Sequence, residues 1–583
     1  MENISEQKNK IKNRENERGA ALVTVLLISM LLLVAGSALL FAATLNTANV
    51  TDAVAEQQAY YAAESGIQSA LNVFRNDSND SSPVNPSPLI DPNKSEDDTA
   101  NEIDYRKAVQ IGTSNVAGDT AFPRLSRWLT YNNDGRVVIN NLTGQGFSLQ
   151  ILDPDNTTTL LSYKIEKWKI GGLQNQTYSN GNLTLSYSAP AVAETANLNV
   201  STNAGATAKL GSFTVLGTGA FPSDGVRFEI IYKMTKPYEA TKVVRGTVTG
   251  GTATGNVKFT FDSGVLELKG SLITIKNLNN SRELTAGLPT TEIEGNVTAV
   301  EPQRLVLRST GFGPRGAQKQ LEAIIRKNFF DGLSAPATLT LVGQSSGFHF
   351  NAGSSGVQKI NGDDVVSTIK LPPIGVTNDP NLTTVNSEIA NGKPELDGRA
   401  ANIADELPDW LYNATSLHNM LYNGTDKLYT VAYNSGRVFT STPTPEEGIG
   451  DFVTGKGITF IEGDATFSQK VYGGGILVCT GKLTFKGEFG FRGLIIVTGA
   501  AGFERSGGGG ASGSGGGGVL EGNIIVAPYD KNNLGNSTIA LSGFLGPKYD
   551  TSGGGSSAIL FNSSVANNGL LGISNFVIGI AEK

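Results

Sequence analysis

Residues 19–74 read GAALVTVLLISMLLLVAGSALLFAATLNTANVTDAVAEQQAYYAAESGIQSALNVF. Positions 20–43 carry no charge, and the first charged residue after them is Asp52. At about 1.5 Å per residue a helix over this run reaches roughly 36 Å, enough to cross the hydrocarbon core of a bilayer. From residue 55 the pattern becomes one-sided. Ala55, Ala59, Ala62, Ala63, Gly66, Ile67, Ala70 and Phe74 recur every three or four residues, while Glu56, Gln57, Tyr60, Glu64, Gln68 and Asn72 take the other side. No proline occurs before Pro83. The stretch therefore predicts one helix over 20–75, apolar all round in its first half and amphipathic in its second.

Ahead of it lies a charged leader, residues 1–19, with Lys8, Lys10, Lys12, Arg14 and Arg18. The positive-inside rule puts that end in the cytoplasm and the bulk of the chain outside it. A secretory signal cut near Ala42-Ala43 is the alternative, but the apolar region of such a signal is normally about 7–15 residues, shorter than this run.

Leader, apolar run and amphipathic continuation come with two short motifs, Arg18-Gly19-Ala20-Ala21-Leu22-Val23 and Gln58-Ala59-Tyr60-Tyr61-Ala62-Ala63-Glu64-Ser65-Gly66. This layout resembles the N-terminus of type IV pilins and pseudopilins, and most of all the minor pilins with a PilX-type N-terminal domain. The resemblance covers about 75 of the 583 residues. It implies that prepilin peptidase cuts after Gly19, that Ala20 becomes the N-terminus, and that the helix packs among other pilins in a filament core. Two positions depart from the family pattern of an aromatic residue or Met first and a glutamate fifth, being Ala20 and Thr24 here. A carboxylate buried in a filament core needs a cationic partner, which the family finds in a neighbour's N-terminal amine. Thr24 in its place implies a special position, at the tip or in an initiating complex. The same two residues also fit an uncleaved signal anchor with no filament.

Composition bounds the rest. The chain has room for two or more domains beyond the helix. A net charge of −7 and a pI near 5.3 argue against nucleic acid as a partner. Charged residues make up only 17% and glycines number 71, which suits a turn-rich β protein. One cysteine excludes an intrachain disulfide, and two histidines with it leave no Cys/His zinc site. No cofactor is expected.

Residues 76–104, rich in Asn, Asp, Ser and Pro, read as a linker. Over 105–345 the periodicity is two, the signature of a β-rich head resembling an elaborated pilin head. Val226, Phe228, Ile230, Tyr232 and Met234 fall on one face of a strand. VKFTF and VLELKG, split by Asp262-Ser263-Gly264, read as a hairpin. Segments 303–311 and 320–330 read as two more strands, weakly similar to the closing strands of PilX-like heads. Residues 346–445 form a mixed connecting region, with short helices over 400–407 and 415–422.

Beyond 446, GITFIEGDATF, GILVCTGKLTF and GLIIVTGAAGF begin at Gly457, Gly475 and Gly493, a strict spacing of 18. A further copy starts at Gly522, displaced by the glycine-rich insert 506–518. A repeat that cannot bury its own apolar face implies stacking, here a β-solenoid over 446–583 with 18-residue coils and glycine corners. Phe467, Phe485 and Phe503 are expected to form an internal ladder. Repeat and insert loosely resemble the C-terminal solenoids of some PilX-like proteins.

Catalytic chemistry finds little support. Cys479 occupies a column otherwise held by Ile461 and Val497, so a small buried hydrophobe explains it. His349 and His418 have no ligand at metal spacing. Residues 343–347 match the nucleophile-elbow pattern, but FHFNAGSSG after them is not a helix. Residues 450–456 have the glycine–lysine spacing of a phosphate loop, with Gly457 where Ser or Thr should ligand magnesium. The oxygen-rich runs at 132–135 and 153–156 read as turns. Columns Glu462/Thr480/Thr498 and Asp464/Lys482/Ala500 repeat no carboxylate pair.

The sequence thus predicts a mainly β protein with one long N-terminal helix, and no enzyme. It is expected to be a minor pilin or pseudopilin-like subunit, single-pass in the bacterial inner membrane, that meets other pilins, prepilin peptidase, inner-membrane lipid and an unidentified surface ligand. The alternative is a membrane-anchored β-solenoid protein that binds or degrades polysaccharide.

Overall fold

The computed structural model describes residues 2–74 and most of 129–582. The longest stretches outside the described residues are 75–128, 507–517 and 566–575, and the side chains of 2–18 lie outside them as well. The linker expected over 76–104 and the glycine-rich insert therefore fall almost wholly outside.

The first element is one unbroken helix, Glu2–Phe74. The charged leader is continuous with it, not a separate segment. Residues 19–54 are exposed along nearly their whole length, and Gly19–Leu71 is the one described helix long and apolar enough to cross a membrane. Its hydroxyls bond to their own helix. Thr24 donates to the Ala20 carbonyl at 2.8 Å, Ser29 to Val25 at 2.7 Å and Thr47 to Ala43 at 2.9 Å. Side chains satisfied in this way can enter lipid without an orphan donor.

The second half of the helix lies on a five-stranded antiparallel sheet, ordered Val137–Asn140, Gln145–Leu152, Arg304–Phe312, Gln318–Arg326 and Phe576–Glu582. This sheet hosts the rest of the molecule. One insertion leaves between Leu152 and Arg304, and a larger one between Arg326 and Phe576. The last strand pairs from Arg326↔Phe576 to Leu321↔Glu582, with one irregularity between Ile324 and Ile325. Residues 576–582 therefore do not belong with the repeats of 446–583, as expected from chain order, but close the sheet that carries the helix.

The first insertion is a sandwich of two antiparallel sheets around one core. Val226–Lys236 is central to one sheet, and Val226, Phe228, Ile230, Tyr232 and Met234 are all buried. Phe213 of the opposite sheet stacks on Phe259 at 4.7 Å and meets Phe228 edge-on at 4.9 Å. The expected hairpin at 257–270 is a correction. Lys258–Phe261 pairs within one sheet and Val265–Leu268 with Ser271–Ile275 in the other, so the chain crosses between sheets at 262–264. The crossing is fixed by ion pairing of Asp262 with Arg227 and by the Ser263 hydroxyl, which donates to the Val265 carbonyl at 2.7 Å.

The second insertion is a stack of parallel strands. Ile458–Ile461, Val471–Cys479, Phe489–Val497 and Val519–Val526 lie side by side, with Ile458↔Ile476↔Leu494↔Asn523 in one column. A second parallel row holds Ala465–Phe467, Leu483–Phe485, Phe503–Arg505, Lys548–Thr551 and His349–Asn351. The region expected to be a connector is thus partly coil. Leu339–Leu341 pairs with Ile524–Val526, and Gln358–Asn361 with Ser557–Leu560. The chain lays down these upper coils first, crosses outside the stack through helices Ala414–Tyr422 and Leu428–Asn434, and re-enters at the far end with Val438–Phe439. The segment expected to be helical over 400–407 is instead a short strand, Ala401–Asn402, and one 3-10 turn, Ala404–Glu406.

This arrangement explains the unbroken apolar runs of the repeat. Leu477, Cys479, Ile495 and Val497 point into the stack, where the other row covers them. Ile476, Val478, Leu494 and Ile496 point outward, but Leu417, Leu421, Leu428 and Ala432 of the crossing helices cover them too. Strands buried on both faces need no polar alternation.

Candidate functional site

Two features carry the candidate functional residues: the helix with its seat on the sheet and the regular column of the strand stack. The seat rests on small residues. Ala63 and Ala70, with Ile67 and Leu71, are buried against Phe147, Leu149, Leu305, Leu307, Leu321 and Ala323, and Ala55, Ala59 and Ala62 are buried over Gly311 and Gly313. A Cβ added at Gly66 would stand 2.2 Å from Ser309 Oγ, and one at Gly311 would stand 2.0 Å from the Ala59 carbonyl oxygen. Backbones approach this closely only where side chains are absent. At the rim Arg315 pairs with Asp52 at 3.2 Å, and Lys319 bridges Glu56 at 3.5 Å and Glu582 at 3.1 Å. Lys319 thus ties the helix to the last strand of the chain. Glu56, Gln57, Tyr60, Glu64 and Gln68 face solvent, while the side chains of Asn72 and Phe74 lie outside the described residues.

Of the residues singled out near the membrane, Gly19, Ala20 and Thr24 are exposed on one helical stretch, with open space around the Gly19 Cα. The Thr24 hydroxyl is already bonded inside the helix. Where a glutamate would need a cation, this residue needs none.

In the stack, Gly457, Gly475, Gly493 and Gly522 stand at one corner, all with φ between +91° and +139°. A Cβ on Gly475 would lie 1.9 Å from the Gly457 carbonyl oxygen, one on Gly493 2.0 Å from that of Gly475, and one on Gly522 1.9 Å from that of Gly493. Each coil's corner rests on the glycine below, so the glycine at the start of every copy is required twice, by conformation and by contact.

Phe467 and Phe485 are register partners with rings stacked at 5.1 Å. Phe503 is different. It stands level with Leu483, and Arg505 takes the place opposite Phe485. The turn at 499–502 takes up two more residues than in the coils below, which corrects two expected columns: Lys482 lies level with Gly502 instead of Ala500, and the three phenylalanines are not one ladder. The Phe503 ring still reaches Phe485 at 5.9 Å and continues upward through Tyr549, stacked at 5.5 Å, to Phe350 at 5.6 Å.

Cys479 is buried, and burial pushes its thiol up to about 12. His418 lies among Tyr422 and Tyr529, its Nδ1 3.3 Å from the Tyr529 hydroxyl, and burial followed by the nearby Lys531 lowers its pKa. His349 is half exposed, 3.6 Å from Asp550. Ser345 sits in an exposed turn that leads into strand His349–Asn351. Asp451 accepts from Val453 N at 2.8 Å and the Thr454 hydroxyl at 2.6 Å, and Asn132 accepts from Asp134 N at 3.0 Å, so both are turn-formers. Residues 155–159 are outside the described residues. Among the described residues no cluster of three or more metal-ligating side chains occurs.

Sequence reasoning missed two things. The coil at 337–350 carries a signal, since ATLTLVGQSSGFHF has the apolar run, polar turn and phenylalanine of the 493–503 copy, with Ala337 level with the corner glycines Gly493 and Gly522. The closing strand Phe576–Glu582 carries none beyond its own alternation. Comparison with family models, with curated proteins and with solved structures finds no match to this chain.

Proposed function

We propose that the chain is a minor pilin or pseudopilin-like subunit of a type IV pilus or related secretion filament, at the tip or in an initiating complex. The observation that carries this reading is the single helix of 73 residues, half bare and apolar, half seated through alanine and glycine on an antiparallel sheet. The bare half serves first as a single-pass anchor in the bacterial inner membrane, with the leader cytoplasmic and the bulk outside. After cleavage following Gly19 it packs among the helices of other pilins. Thr24, satisfied within its own helix, suits a subunit that joins a filament without a buried salt bridge.

The parallel stack is read as a β-solenoid whose regular coils run 18 residues. It is too large to repeat along a thin filament, which favours a terminal position. Helices cover one of its faces. On another, Thr466, Thr484, Glu504, Asp550 and Asn351 fall in one polar column, of which Thr484 is buried and the others are exposed or half-buried, a regular surface suited to an extended surface ligand. The test is shearing of surface filaments from cells that carry the chain. The chain is expected in the sheared fraction together with other pilins. Full retention in the membrane fraction, with no cross-link from a cysteine placed at the exposed Leu31 to any pilin-like helix, would sink the proposal.

A further inference from the structure

We propose that the cleft between the sandwich and the strand stack binds an acidic sugar, a polyol that bears a carboxylate. The cleft has a volume of about 500 Å³, within the range of small-molecule sites, and it lies where two units meet, a preferred place for them. Its walls are fixed. Arg245, buried, donates to Glu406 at 2.9 Å and to the Asn402 carbonyl at 3.0 Å, with Glu229 at 3.4 Å, and Lys167 pairs with Asp405 at 2.7 Å. Burial works against the charge on Arg245, but Glu406 and Glu229 outweigh it and raise its pKa. A cleft anchored in this way is formed before any ligand arrives.

Within it, three hydroxyls stand together. Thr247 and Thr249 follow Arg245 on the same face of strand Ala240–Thr249, and Thr260 is the cross-strand partner of Thr247. Among the described residues no hydrogen bond engages any of the three side chains, whereas Thr377 and Thr551, buried elsewhere, are fully engaged. Such a row offers unengaged hydroxyl donors and acceptors beside the apolar lining of Phe261, Leu266, Leu371 and Pro373. The cleft is also lined by cations with spare capacity. Lys242 and Arg399 have no carboxylate partner among the described residues. Arg282 makes one contact, to Asp363 at 3.5 Å. Lys370 differs, being held between Asp363 at 2.8 Å and Asp397 at 3.2 Å. Among the described residues Asp224 is the lining carboxylate left without a cation, and it can accept from a sugar hydroxyl. In a chain of net charge −7, the Arg399 guanidinium and the Lys242 ammonium, gathered beside unengaged hydroxyls, fit a carboxylate held bidentately by Arg399 and a ring held by its hydroxyls. The inference does not depend on entry into a filament.

The test uses the full chain in detergent micelles and isothermal titration calorimetry with trigalacturonic acid, sialyllactose, maltotriose and inorganic phosphate. At least one of the two acidic sugars is expected to bind, and maltotriose at least about tenfold more weakly, the difference one charge-assisted hydrogen bond makes. Arg399→Gln, and separately Thr247→Val with Thr260→Val, should each weaken binding about tenfold or more on the same ground. Lys359→Gln, paired with Glu395 on a different surface, should leave it unchanged. Thermal unfolding of the Arg399 and threonine variants should match the parent, since among the described residues those side chains make no hydrogen bond or ion pair. The proposal is overturned if neither acidic sugar binds, if phosphate binds as well as the sugar, or if the variants bind normally.

Discussion

Replacing Gly475 by alanine tests the corner contact of the stack, and Gly463→Ala supplies its control. Both glycines have a positive φ, +91° and +104°, so any side chain at either costs about 1–3 kcal/mol in backbone strain. They differ in space. A Cβ at Gly475 would lie 1.9 Å from the Gly457 carbonyl oxygen and 2.6 Å from its carbonyl carbon, whereas at Gly463 nothing stands within 4 Å. The obstruction is backbone and yields only if a whole coil shifts, an overpacking cost of about 1–3 kcal/mol. Gly475→Ala should therefore exceed Gly463→Ala by that amount, roughly 5- to 150-fold in the local opening equilibrium. Hydrogen exchange read by mass spectrometry on the full chain resolves this without a two-state assumption. Peptides covering Ile458–Ile461, Val471–Cys479 and Phe489–Val497 should speed up, and those covering Val226–Lys236 in the sandwich should not. Equal effects of the two substitutions would refute the contact argument.

Phe485→Ala should cost about 3–5 kcal/mol, read in the same peptides, because its ring is buried between Phe467, Phe489 and Phe503. Arg245→Met alone should destabilise the sandwich–stack junction by about 3–5 kcal/mol through the stranded Glu406, and adding Glu406→Leu should recover only part of it in a thermal scan, because Val243 N then loses the acceptor it has at 2.7 Å. Cys479 should resist a thiol reagent at pH 8 in the folded chain and react on unfolding, since burial holds it near pKa 12. The sign follows: an unfolded thiol ionises above roughly pH 8.5 while the folded one stays protonated, so this group subtracts stability as pH rises from there towards 12. Deleting 576–582 should speed exchange in Gln318–Arg326, whose outer edge that strand covers.

Much of this was legible in the sequence, for reasons tied to particular residues. The helix announced itself because lipid-length apolarity and a small-residue stripe are local signals, and Ala55, Ala59, Ala62 and Ala63 sit where their spacing puts them. The parallel register was legible because a stacked coil sets residue i over i+18, so Gly457, Gly475 and Gly493 carry the geometry in their numbers. What escaped was non-local or compensated. The pairing of Arg326 with Phe576 joins segments some 250 residues apart and leaves no mark on either. The two-residue slip before Phe503 hides in a turn whose ends look like the other copies. The bend at 262–264 mimics a hairpin because alternation continues through it, and only the pairing partners reveal that the strands lie in different sheets. In the candidate site, Thr247 and Thr260 meet through cross-strand register and Arg399 through the docking of the stack, neither of which a linear reading supplies.

The central claim, a helix that is processed and then packed among other pilins, is tested most directly by the N-terminal sequence of the chain recovered from its host's membranes. The account predicts that the mature protein begins at Ala20, and that Gly19→Arg leaves it inserted but uncut. A mature chain that still begins at Met1, or one that begins near Asn46, would contradict it.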